Sequence, residues 1–413
     1  MLEIAIVGAG PYGLSIAAHF RARGIPFRIF GPPMDSWLTH MPKGMMLKSD
    51  GFASNLYDPS GSFTLKKFCS EKGIEYSDLS LPVRLETFSA YGLAFKDRLV
   101  PELDERMVVS LDRVSDGFRL ELADGEKLNA RRVILAVGIT HFDYVPETLS
   151  HLSSEFVTHS YRHQNLEPFK GRSVAVLGGG ASAIGLVGLL KEIGAQPTLI
   201  ARQKTLEFHD MLPVDKPRSL WERVRRPQSG LGPGLKSRFF ADAPQWFHYL
   251  PEFLRIEAVR RSLGPAGHWY SRDKVVGQLP LLLGCEMKCA VASDQKVKLT
   301  IQNADGTQQE VITEHVIAGT GYKVDIDRLK FLSHEIRSRV KTVSKTPVLS
   351  SNFESSIPGL YFVGIAAANS FGPVMRFAFG ANFAARTLTK TVSHALSSSR
   401  ASVSVPGVVT TAK

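Results

Sequence analysis

Residues 4–13 have the sequence IAIVGAGPYG, and this stretch decides the fold of the N-terminal region. The apolar run 4–7 predicts a buried strand. Gly8 permits a tight turn after it, Gly10 lets a pyrophosphate approach the backbone, and Gly13 lets a helix pack closely on the strand. Because a predicted strand precedes these glycines and a predicted helix follows them, a dinucleotide-binding turn is favoured over an ordinary glycine-rich turn.

The residues that follow complete a β-α-β unit. A helix is predicted at 12–23 and a second strand at 27–30. Gly31 stands at the end of this strand, where an acidic residue normally binds the adenosine ribose. Asp35 or Ser36 is the expected substitute.

The same architecture recurs from residue 173, without similarity of sequence. A strand is predicted at 174–177 and a helix at 182–193, followed by a further strand. In the turn between them, Gly178 and Gly180 keep the first two glycines, and Ala183 replaces the third, a change that this fingerprint often tolerates. A second dinucleotide is expected here.

Two basic residues, Arg202 and Lys204, follow the second strand of this unit, where an acid would favour an unphosphorylated ribose. A guanidinium at this place can pair bidentately with a 2′-phosphate. Solvated loop charges are the alternative interpretation. We prefer the phosphate-binding interpretation, with Arg202 as the better candidate, so NADPH is favoured over NADH.

Each unit is followed by a hairpin that leads into a buried strand. The first hairpin covers 117–136 and leads to Gly138; the second covers 297–318, with a single strand predicted at 311–318, and leads to Gly319 and Gly321. The fold class predicted is α/β, with two nested Rossmann-like, three-layer dinucleotide-binding domains. The predicted boundaries are 1–155 and 311–391 for the outer domain, 156–310 for the inner domain, and 392–413 for a flexible tail.

The stretch 213–267 interrupts the inner domain with prolines, arginines and crowded aromatic residues. A basic, aromatic insertion is compatible with a membrane-surface or partner-binding element. A lid or subdomain that packs on the core is the interpretation we prefer.

Composition excludes several classes of protein. The 413 residues carry a net charge of +11, but the basic residues are scattered rather than arranged as a nucleic-acid-binding stripe. No apolar run approaches the roughly 18 residues of a membrane span, and nothing marks the chain for export, so a cytoplasmic location is expected. The three cysteines, Cys69, Cys285 and Cys289, form neither a metal-binding pattern nor a redox pair after the first turn.

The sequence resembles the class B flavin monooxygenases, in particular the ornithine and lysine N-hydroxylases and related bacterial FAD-dependent hydroxylases such as urate hydroxylase. The resemblance covers most of residues 1–390. It rests on GAGPYGLS at 8–15, MMLKS at 45–49 with LYDP at 56–59, HSY at 159–161, and GTGY at 319–322. HSY is a contracted form of the family's linker signature, and Ile365 replaces the acid that usually follows the C-terminal glycine, Gly364.

The resemblance implies FAD in the outer domain, on the first glycine turn, and NADPH in the inner domain, on the second. It implies no metal. The residues expected to bind the two cofactors are Gly8, Gly10, Pro11, Tyr12, Gly13, Asp35, Trp37, Gly138, Gly178, Gly180, Ser182, Ala183, Arg202, Gly321, Gly364, Phe371 and Gly372.

By the same resemblance, the run 370–377 and the region around residues 40–55 lie beside the flavin. Arg376 could stabilise negative charge on a flavin, whereas a buried arginine that only packs is nearly as good an explanation. Lys48 and Asn55 are the other catalytic candidates. No acid or base role is assigned to either of them, nor to His40 or Ser49.

The implied function is hydroxylation of a small molecule by O2: NADPH reduces FAD, and a C4a-(hydro)peroxyflavin delivers one oxygen atom. Two alternatives stay open. One is an oxidoreductase that passes electrons from NADPH through FAD to a quinone, a disulfide or an iron-sulfur partner; the other is a catalytically silent flavin-binding protein. Whether the substrate is an amino-acid side chain or a purine such as urate, and whether the chain forms a homo-oligomer, also stay open.

Overall fold

The computed structural model describes residues 1–208, 219–262 and 266–403. Two sheets form its framework: a mixed six-stranded sheet with a parallel part, and a wholly parallel five-stranded sheet. The elements up to the first domain crossing are β1 (Leu2–Val7), α1 (Pro11–Ala22), β2 (Arg28–Phe30), α2 (Leu65–Lys72), α3 (Leu85–Leu99), β3 (Val108–Val114), β4 (Gly117–Leu122), β5 (Lys127–Leu135) and α4 (Glu147–Ser150).

The inner region follows, and the chain then returns to the first sheet. Its elements are β6 (Val157–His159), β7 (Ser173–Leu177), α5 (Ala181–Glu192), β8 (Gln196–Ala201), α6 (Leu220–Arg225), α7 (Leu235–Asp242), α8 (Pro244–His248), α9 (Glu252–Arg261), α10 (Trp269–Val275), β9 (Leu281–Leu283), β10 (Glu286–Ser293), β11 (Lys296–Gln302), β12 (Gln308–Thr313) and β13 (His315–Ala318). The C-terminal elements are α11 (His334–Arg339), β14 (Thr342–Val343), β15 (Thr346–Pro347), β16 (Leu360–Phe362), α12 (Ala368–Phe371) and α13 (Ala381–Val403).

The first sheet has six strands and joins the two ends of the chain. β2, β1 and β5 are parallel neighbours, and β16, more than 200 residues later in the sequence, pairs in parallel with the last residues of β5. The early residues of β5 instead pair antiparallel with β4, which continues into β3. The two ends of β5 therefore have different partners: its last residues belong to the parallel part of the sheet, and its first residues pair with the β3–β4 hairpin, which forms a separate layer.

The second sheet is wholly parallel, in the order β6-β13-β7-β8-β9. An antiparallel three-stranded meander, β10-β11-β12, lies beside it. Each parallel sheet follows a strand-turn-helix-strand path, β1-α1-β2 and β7-α5-β8. The predicted α/β class with two nested three-layer domains is confirmed by these sheets.

The single strand predicted at 311–318 is wrong, because two strands with different partners occupy it. β12 ends the meander at Thr313, and β13 begins in the parallel sheet at His315. Between them, the Glu314 carboxylate accepts hydrogen bonds from the backbone and hydroxyl of Ser173, which fixes the change of direction. The apolar pattern is interrupted here by three polar residues, Thr313, Glu314 and His315, and this interruption is the signal in the sequence that marks the break.

The sheets also place the limits of the inner domain differently from the sequence. Since β13 pairs with β6 and β7, the inner domain extends to Ala318, past the boundary expected at 310. α13 runs to Val403, so part of the tail expected from 392 is helical, while residues 404–413 lie outside the described residues. The described part of the expected insertion, 219–262, consists of helices α6 to α9.

Apolar burial explains why these elements form. In β1, Ile4, Ala5 and Ile6 are fully buried, as is typical of a strand with a parallel neighbour on each side. One face of α1 covers the first sheet, and α5 covers the second in the same way. Within the described residues, no helix combines the length and apolar character that a membrane crossing requires.

Candidate active site

The first glycine turn has the geometry that a dinucleotide requires. Gly8 has a φ of 108°, and a Cβ there would lie 2.3 Å from the carbonyl oxygen of Ala136. A Cβ on Gly13 would lie 1.9 Å from the carbonyl oxygen of Gly8, so helix and strand touch there. A Cβ on Gly10 would meet nothing within 4 Å and would project into open space. The turn is thus closed at Gly8 and Gly13 and open at Gly10, where a phosphate would approach.

The N-terminus of α1 fits a phosphate electrostatically. Gly10 is its N-cap and Pro11 its first residue, with no side chain capping the free amides and no acidic residue in the first turn. The N-terminus of α5 has the same properties with Gly180 as N-cap, and Ser182 lies exposed in its first turn. Unsatisfied amides and the helix dipole therefore point at both turns.

The missing ribose acid has a backbone explanation. Gly31 has a φ of 116°, a backbone conformation that favours glycine, whereas a Cβ there would make only ordinary contacts, 3.7 Å from the Gly8 Cα. The expected substitute, Asp35, accepts a hydrogen bond from the hydroxyl of Thr39 and lies 3.8 Å from His40. Its carboxylate therefore interacts with its own helical turn.

Two other expected FAD contacts lie next to the same turn. Trp37 packs edge to face on Phe88, with ring centroids 4.7 Å apart. Gly138 has a φ of 69°, and a Cβ there would lie 3.6 Å from the hydroxyl of Ser36. Both positions shape the wall beside the first turn.

The C-terminal segment reaches this turn through Tyr12. Its hydroxyl lies 3.0 Å from the carbonyl oxygens of both Met375 and Phe377, and burial raises the pKa of the phenol well above its ordinary value. Gly364, with a φ of 68°, has Tyr12 ring atoms 3.7 Å from where its Cβ would be. The structure thus brings the expected residues Tyr12 and Gly364 together with the run that contains Arg376.

Phe371 and Gly372 lie in a packed layer instead of an open cleft. Phe371 is fully buried and stacks between Phe353, at 4.1 Å, and His248 of α8, at 5.0 Å. A Cβ on Gly372 would lie 3.2 Å from the ring of Phe247. These two residues join the insertion to the C-terminal segment, so any cofactor contact they make is through the backbone.

The second turn repeats the closure of the first. Gly178 has a φ of 145°, and a Cβ there would lie 2.3 Å from the carbonyl oxygen of Gly319. Ala183, fully buried, takes the place of the third glycine, with Gly319 opposite it: a Cβ on Gly319 would lie 2.8 Å from that of Ala183. In the inner domain, the close approach of helix and strand therefore requires glycine at the facing strand end, at Gly319, instead of in the helix.

Arg202 lies exposed directly after β8, beside a pocket of about 290 Å³. The pocket is lined also by Gly284, Cys285, Glu286 and the end of β11 at 302–304. Next to Arg202, the side chain of Gln203 covers the glycine turn, since its Oε1 would lie 2.4 Å from a Cβ on Gly179. Gln203 is a site residue that sequence reasoning missed, because no motif marks it.

The two chain segments that connect the outer and inner domains are hydrogen-bonded to each other. His159 donates from Nε2 to the carbonyl oxygen of Gly321 at 2.9 Å, and burial lowers the pKa of this imidazole. Thr320 bonds the carbonyl of Tyr144, and Arg328 pairs with Asp143. Gly321 is therefore a linker residue as well as an expected cofactor contact, and it joins the HSY segment to the GTGY segment.

The catalytic candidates are not equivalent. Asn55 donates to the carbonyl of Phe52 and accepts from the backbone of Leu65, so both ends of its amide contribute to holding the start of α2. Ser49 contributes a backbone contact, since its carbonyl oxygen accepts a hydrogen bond from the hydroxyl group of Ser54. Lys48 and Arg376, in contrast, lie together: Arg376 and burial lower the pKa of Lys48 to about 8, with burial the larger cause.

Three further polar residues surround Lys48. His268 bonds the Lys48 carbonyl oxygen through Nε2 at 2.6 Å, and its ring stacks on Tyr270 at 4.9 Å. Asp50 accepts a hydrogen bond from Gln228 of the insertion at 3.2 Å, and burial raises the pKa of its carboxyl group. Asp50, Gln228 and His268 were not predicted, because they come from three separate parts of the sequence and share no motif.

The fold and the two glycine turns define a two-domain dinucleotide-binding oxidoreductase. The model of the pyridine nucleotide-disulphide oxidoreductase family matches residues 5–216, just over half of the 413 residues. The chain belongs to this family.

Curated relatives include ferredoxin–NADP reductases of Streptococcus pyogenes, among them those of strains MGAS6180 and Manfredo. Each is 26% identical over 211 residues, which is 50% of this chain and 56% of the relative. The matched region thus spans little more than half the length of these relatives.

Solved structures match nearly the whole chain. The ornithine N-hydroxylase of Kutzneria sp. 744, solved with reduced FAD, NADP+ and L-ornithine, has a TM-score of 0.76 at 16% identity and covers 96% of this chain and 100% of its own. The cadaverine monooxygenase of Erwinia amylovora, solved with FAD, has a TM-score of 0.73 at 17% identity and covers 95% of each chain. The bacillithiol disulfide reductase of Staphylococcus aureus has a TM-score of 0.63 at 16% identity, with 95% and 98% covered.

At these identities the similarity shows the fold. It confirms, at that level, the resemblance to flavin-dependent N-hydroxylases. The family membership confirms the expectation of a pyridine-nucleotide-dependent oxidoreductase.

Proposed function

We propose that this protein is an FAD-dependent, NADPH-using monooxygenase that hydroxylates a small molecule. The observation that carries the proposal is the similarity of fold to the ornithine N-hydroxylase over 96% of the chain, with both glycine turns in binding geometry. All three cysteines are free, and the sequence places no cysteine pair after the first turn, where a disulfide reductase would need one.

Each domain has a separate task in this proposal. The first turn, with the N-terminus of α1, would hold the FAD pyrophosphate, and Tyr12 would fix the C-terminal segment beside the flavin. The second turn, with the N-terminus of α5, would hold NADPH, and Arg202 would bind its 2′-phosphate. FAD supplies the acceptance of hydride and the activation of O2.

The insertion would exclude water from the reacting centre. Its residue Gly230 packs so closely on Phe379 that a Cβ would lie 2.4 Å from that ring, and Gln228 bonds Asp50. The loop between α6 and α7 would therefore cover the region beside Lys48 and Arg376. Exclusion of water from such a cleft protects a reactive oxygen species from hydrolysis and prevents uncoupled release of peroxide.

The second candidate is a reductase that passes electrons from NADPH through FAD to an iron-sulfur partner. The names of the curated relatives, ferredoxin–NADP reductases, favour it, although they match over about half of this chain. An electron-transfer partner needs access to the flavin edge, which the packed insertion opposes.

The two candidates are separated by stopped-flow spectra of the NADPH-reduced protein mixed with O2. A monooxygenase shows a transient whose absorbance differs from both reduced and oxidised flavin, and which is long-lived with NADP+ bound. Direct return to oxidised flavin with stoichiometric peroxide would contradict the proposal. Turnover with a ferredoxin, in the absence of such a transient, would establish the reductase. A panel of amines, amino acids and purines, scored by NADPH use minus peroxide release and by product mass, then identifies the substrate.

A further inference from the structure

An open cavity of about 310 Å³ lies in the outer domain, apart from both glycine turns. α2 and the first turn of α3 form two of its walls, and the loop 73–84 that joins these helices forms a third. The buried residues Leu65, Cys69 and Val83 line it together with the half-buried Met46. None of its lining residues is among those expected to bind FAD or NADPH, so the cavity is available to another ligand.

Backbone contacts hold the loop wall of this cavity in place. The amide of Leu47 donates a hydrogen bond to the carbonyl oxygen of Val83 at 2.8 Å. Earlier in the loop, Gly51 packs so closely that a Cβ there would lie 2.3 Å from the carbonyl oxygen of Ser77. The loop is therefore held at two points by the segment 47–51. The cavity is formed before a ligand arrives, as is usual for small-molecule sites.

Two residues of opposite charge lie at the rim of the cavity. Glu75 and Arg84 both line it, and both are exposed. In the part of the chain that the structure describes, neither of them forms an ion pair. The neighbouring acids have partners: Asp78 accepts a hydrogen bond from the hydroxyl of Tyr76 at 2.9 Å, and Glu86 accepts one from a backbone amide at 3.1 Å. The cavity therefore combines an apolar wall with one anionic and one cationic group.

Size, apolar lining and charge together define the class of ligand. The volume is at the lower end of the range for small-molecule sites, about 300–1,000 Å³, so the ligand has few heavy atoms. An apolar body would displace water from the buried wall, which is favourable in proportion to the apolar area covered. A ligand with an anionic group alone would be attracted by Arg84 and repelled by Glu75, whereas a zwitterion can satisfy both.

We propose that this cavity binds a small zwitterion with an apolar body, of the size of an apolar amino acid. Its anionic group pairs with Arg84, its ammonium group pairs with Glu75, and its apolar body lies on the wall that contains Leu65 and Val83. The site is a second ligand site, separate from the two cofactors and from the substrate of the proposed function, and it does not rest on that function. Because both charged residues are exposed, each ion pair adds modestly to the affinity.

The test compares zwitterions with molecules that lack one of the two charges. The oxidised FAD-bound protein is titrated calorimetrically with L-leucine, with N-acetyl-L-leucine, which lacks the cation, and with L-leucinamide, which lacks the anion. Leucine should bind about two- to fivefold more tightly than either. 6-Aminohexanoate, whose charges are farther apart, and hexanoate extend the comparison to a longer ligand. If neither zwitterion binds more tightly than its singly charged counterparts, the proposal is overturned.

Variants assign each charge of the ligand to its partner. Arg84→Gln should remove the preference for leucine over leucinamide and keep the preference over N-acetyl-leucine, and Glu75→Gln should do the reverse. Thr87→Phe places a ring in the cavity and should abolish binding. Lys72→Gln is the matched control, since Lys72 is an exposed residue of α2 outside the lining, and it should change neither preference. Should Thr87→Phe fail to fold, the two exposed charge variants decide, and unchanged preferences in both would overturn the proposal.

Hydrogen exchange distinguishes this cavity from the candidate active site, where an amino acid could also bind. Saturation of the FAD-bound protein with leucine should slow exchange in peptides from 65–87. If these peptides are unprotected, or if protection is confined to the run 370–377, leucine binds elsewhere and the proposal is overturned. The measurement needs neither NADPH nor O2, so its outcome is independent of the stopped-flow test. A protein that fails the stopped-flow test and shows this protection has the zwitterion site without the monooxygenase activity.

Discussion

The hydroxyl group of Tyr12 lies 3.0 Å from the carbonyl oxygen of Phe377, a residue 365 positions later in the chain. Tyr12 is the second residue of α1, and Phe377 follows Arg376. The first dinucleotide turn and the C-terminal segment that contains Arg376 are therefore joined by one side chain.

Replacement of Tyr12 by phenylalanine should loosen this junction. The carbonyl oxygens of Met375 and Phe377 would lose a buried donor, which costs about 1–3 kcal/mol of unfolding free energy. We also expect weaker retention of FAD, measured from the ratio of flavin to protein absorbance after gel filtration. Tyr249→Phe, which removes an exposed hydroxyl group, is the control and should change neither quantity. Unchanged stability and FAD content in Tyr12→Phe would show that the contact is incidental.

Two alanine substitutions in the first turn should separate folding from cofactor binding. Gly13→Ala places a Cβ 1.9 Å from the Gly8 carbonyl, so α1 must move away from the sheet and both stability and FAD binding should fall. Gly10→Ala places its Cβ in open space, so the apoprotein should keep its thermal midpoint while FAD binding weakens at least tenfold. Thermal unfolding of the apoproteins and FAD titration by fluorescence measure the two effects. Equal loss of stability in both variants would contradict the assignment of Gly10 to the phosphate.

The sequence predicts best what is local. Gly8, Gly13 and Gly178 could be assigned from sequence because the close approaches that require them occur within one strand-turn-helix unit or at its neighbouring strand end. Long-range packing could not be assigned in this way: the sequence does not show that the ring of Phe371 is stacked between Phe353 and His248. The strand break at Glu314 is marked by the polar residues 313–315, but its hydrogen-bond partner Ser173 lies 141 residues earlier, and the sequence does not identify it.

The same distinction applies to the polar residues of the candidate site. Lys48 and Arg376 were singled out by motifs, but their proximity is visible only in the folded chain. Asp50, Gln228 and His268 had no motif at all. Asp35 was predicted to replace the ribose-binding acid because it lies close to Gly31 in the sequence. In the structure its carboxylate accepts a hydrogen bond from the hydroxyl group of Thr39.

Removal of the Arg202 guanidinium tests the choice of nicotinamide cofactor. Arg202→Ala should raise the apparent KM for NADPH far more than for NADH, by about 2 kcal/mol in kcat/KM if a bidentate contact to the 2′-phosphate is lost. Steady-state flavin reduction with each cofactor measures the difference. Lys298→Ala, which removes a cation from the neighbouring meander, should leave the NADPH-to-NADH ratio unchanged. Equal effects of Arg202→Ala on the two cofactors would remove Arg202 from the site.

A chain of hydrogen bonds in the inner domain predicts how stability depends on pH. His315 donates from Nδ1 to the carbonyl of Glu155, so in its neutral form Nε2 accepts from the hydroxyl of Thr158, at 2.8 Å. The Thr158 oxygen in turn accepts from Nε2 of His163. Each hydrogen bond in this arrangement has a defined donor and acceptor. A second proton on His315 would turn its Nε2 into a donor and break the bond from the Thr158 hydroxyl.

His163 is the most strongly shifted member of the chain, because burial and then the neighbouring His315 and Arg162 lower its pKa to about 4 from the ordinary value of 6.5. Between these two values the unfolded chain binds a proton that the folded chain does not. The contribution of the neutral His163 to the unfolding free energy should therefore be fully present above about pH 6.5. It should decrease as the pH falls towards 4, by up to about 1.4 kcal/mol per pH unit for this proton. Urea unfolding between pH 4.5 and 7.5, followed by tryptophan fluorescence, measures the slope. His163→Gln keeps a donor for Thr158 but does not titrate, so its slope should be smaller than that of the parent, whereas the exposed His334→Gln should match the parent. A slope in His163→Gln equal to that of the parent would show that His163 does not remain neutral in the folded protein.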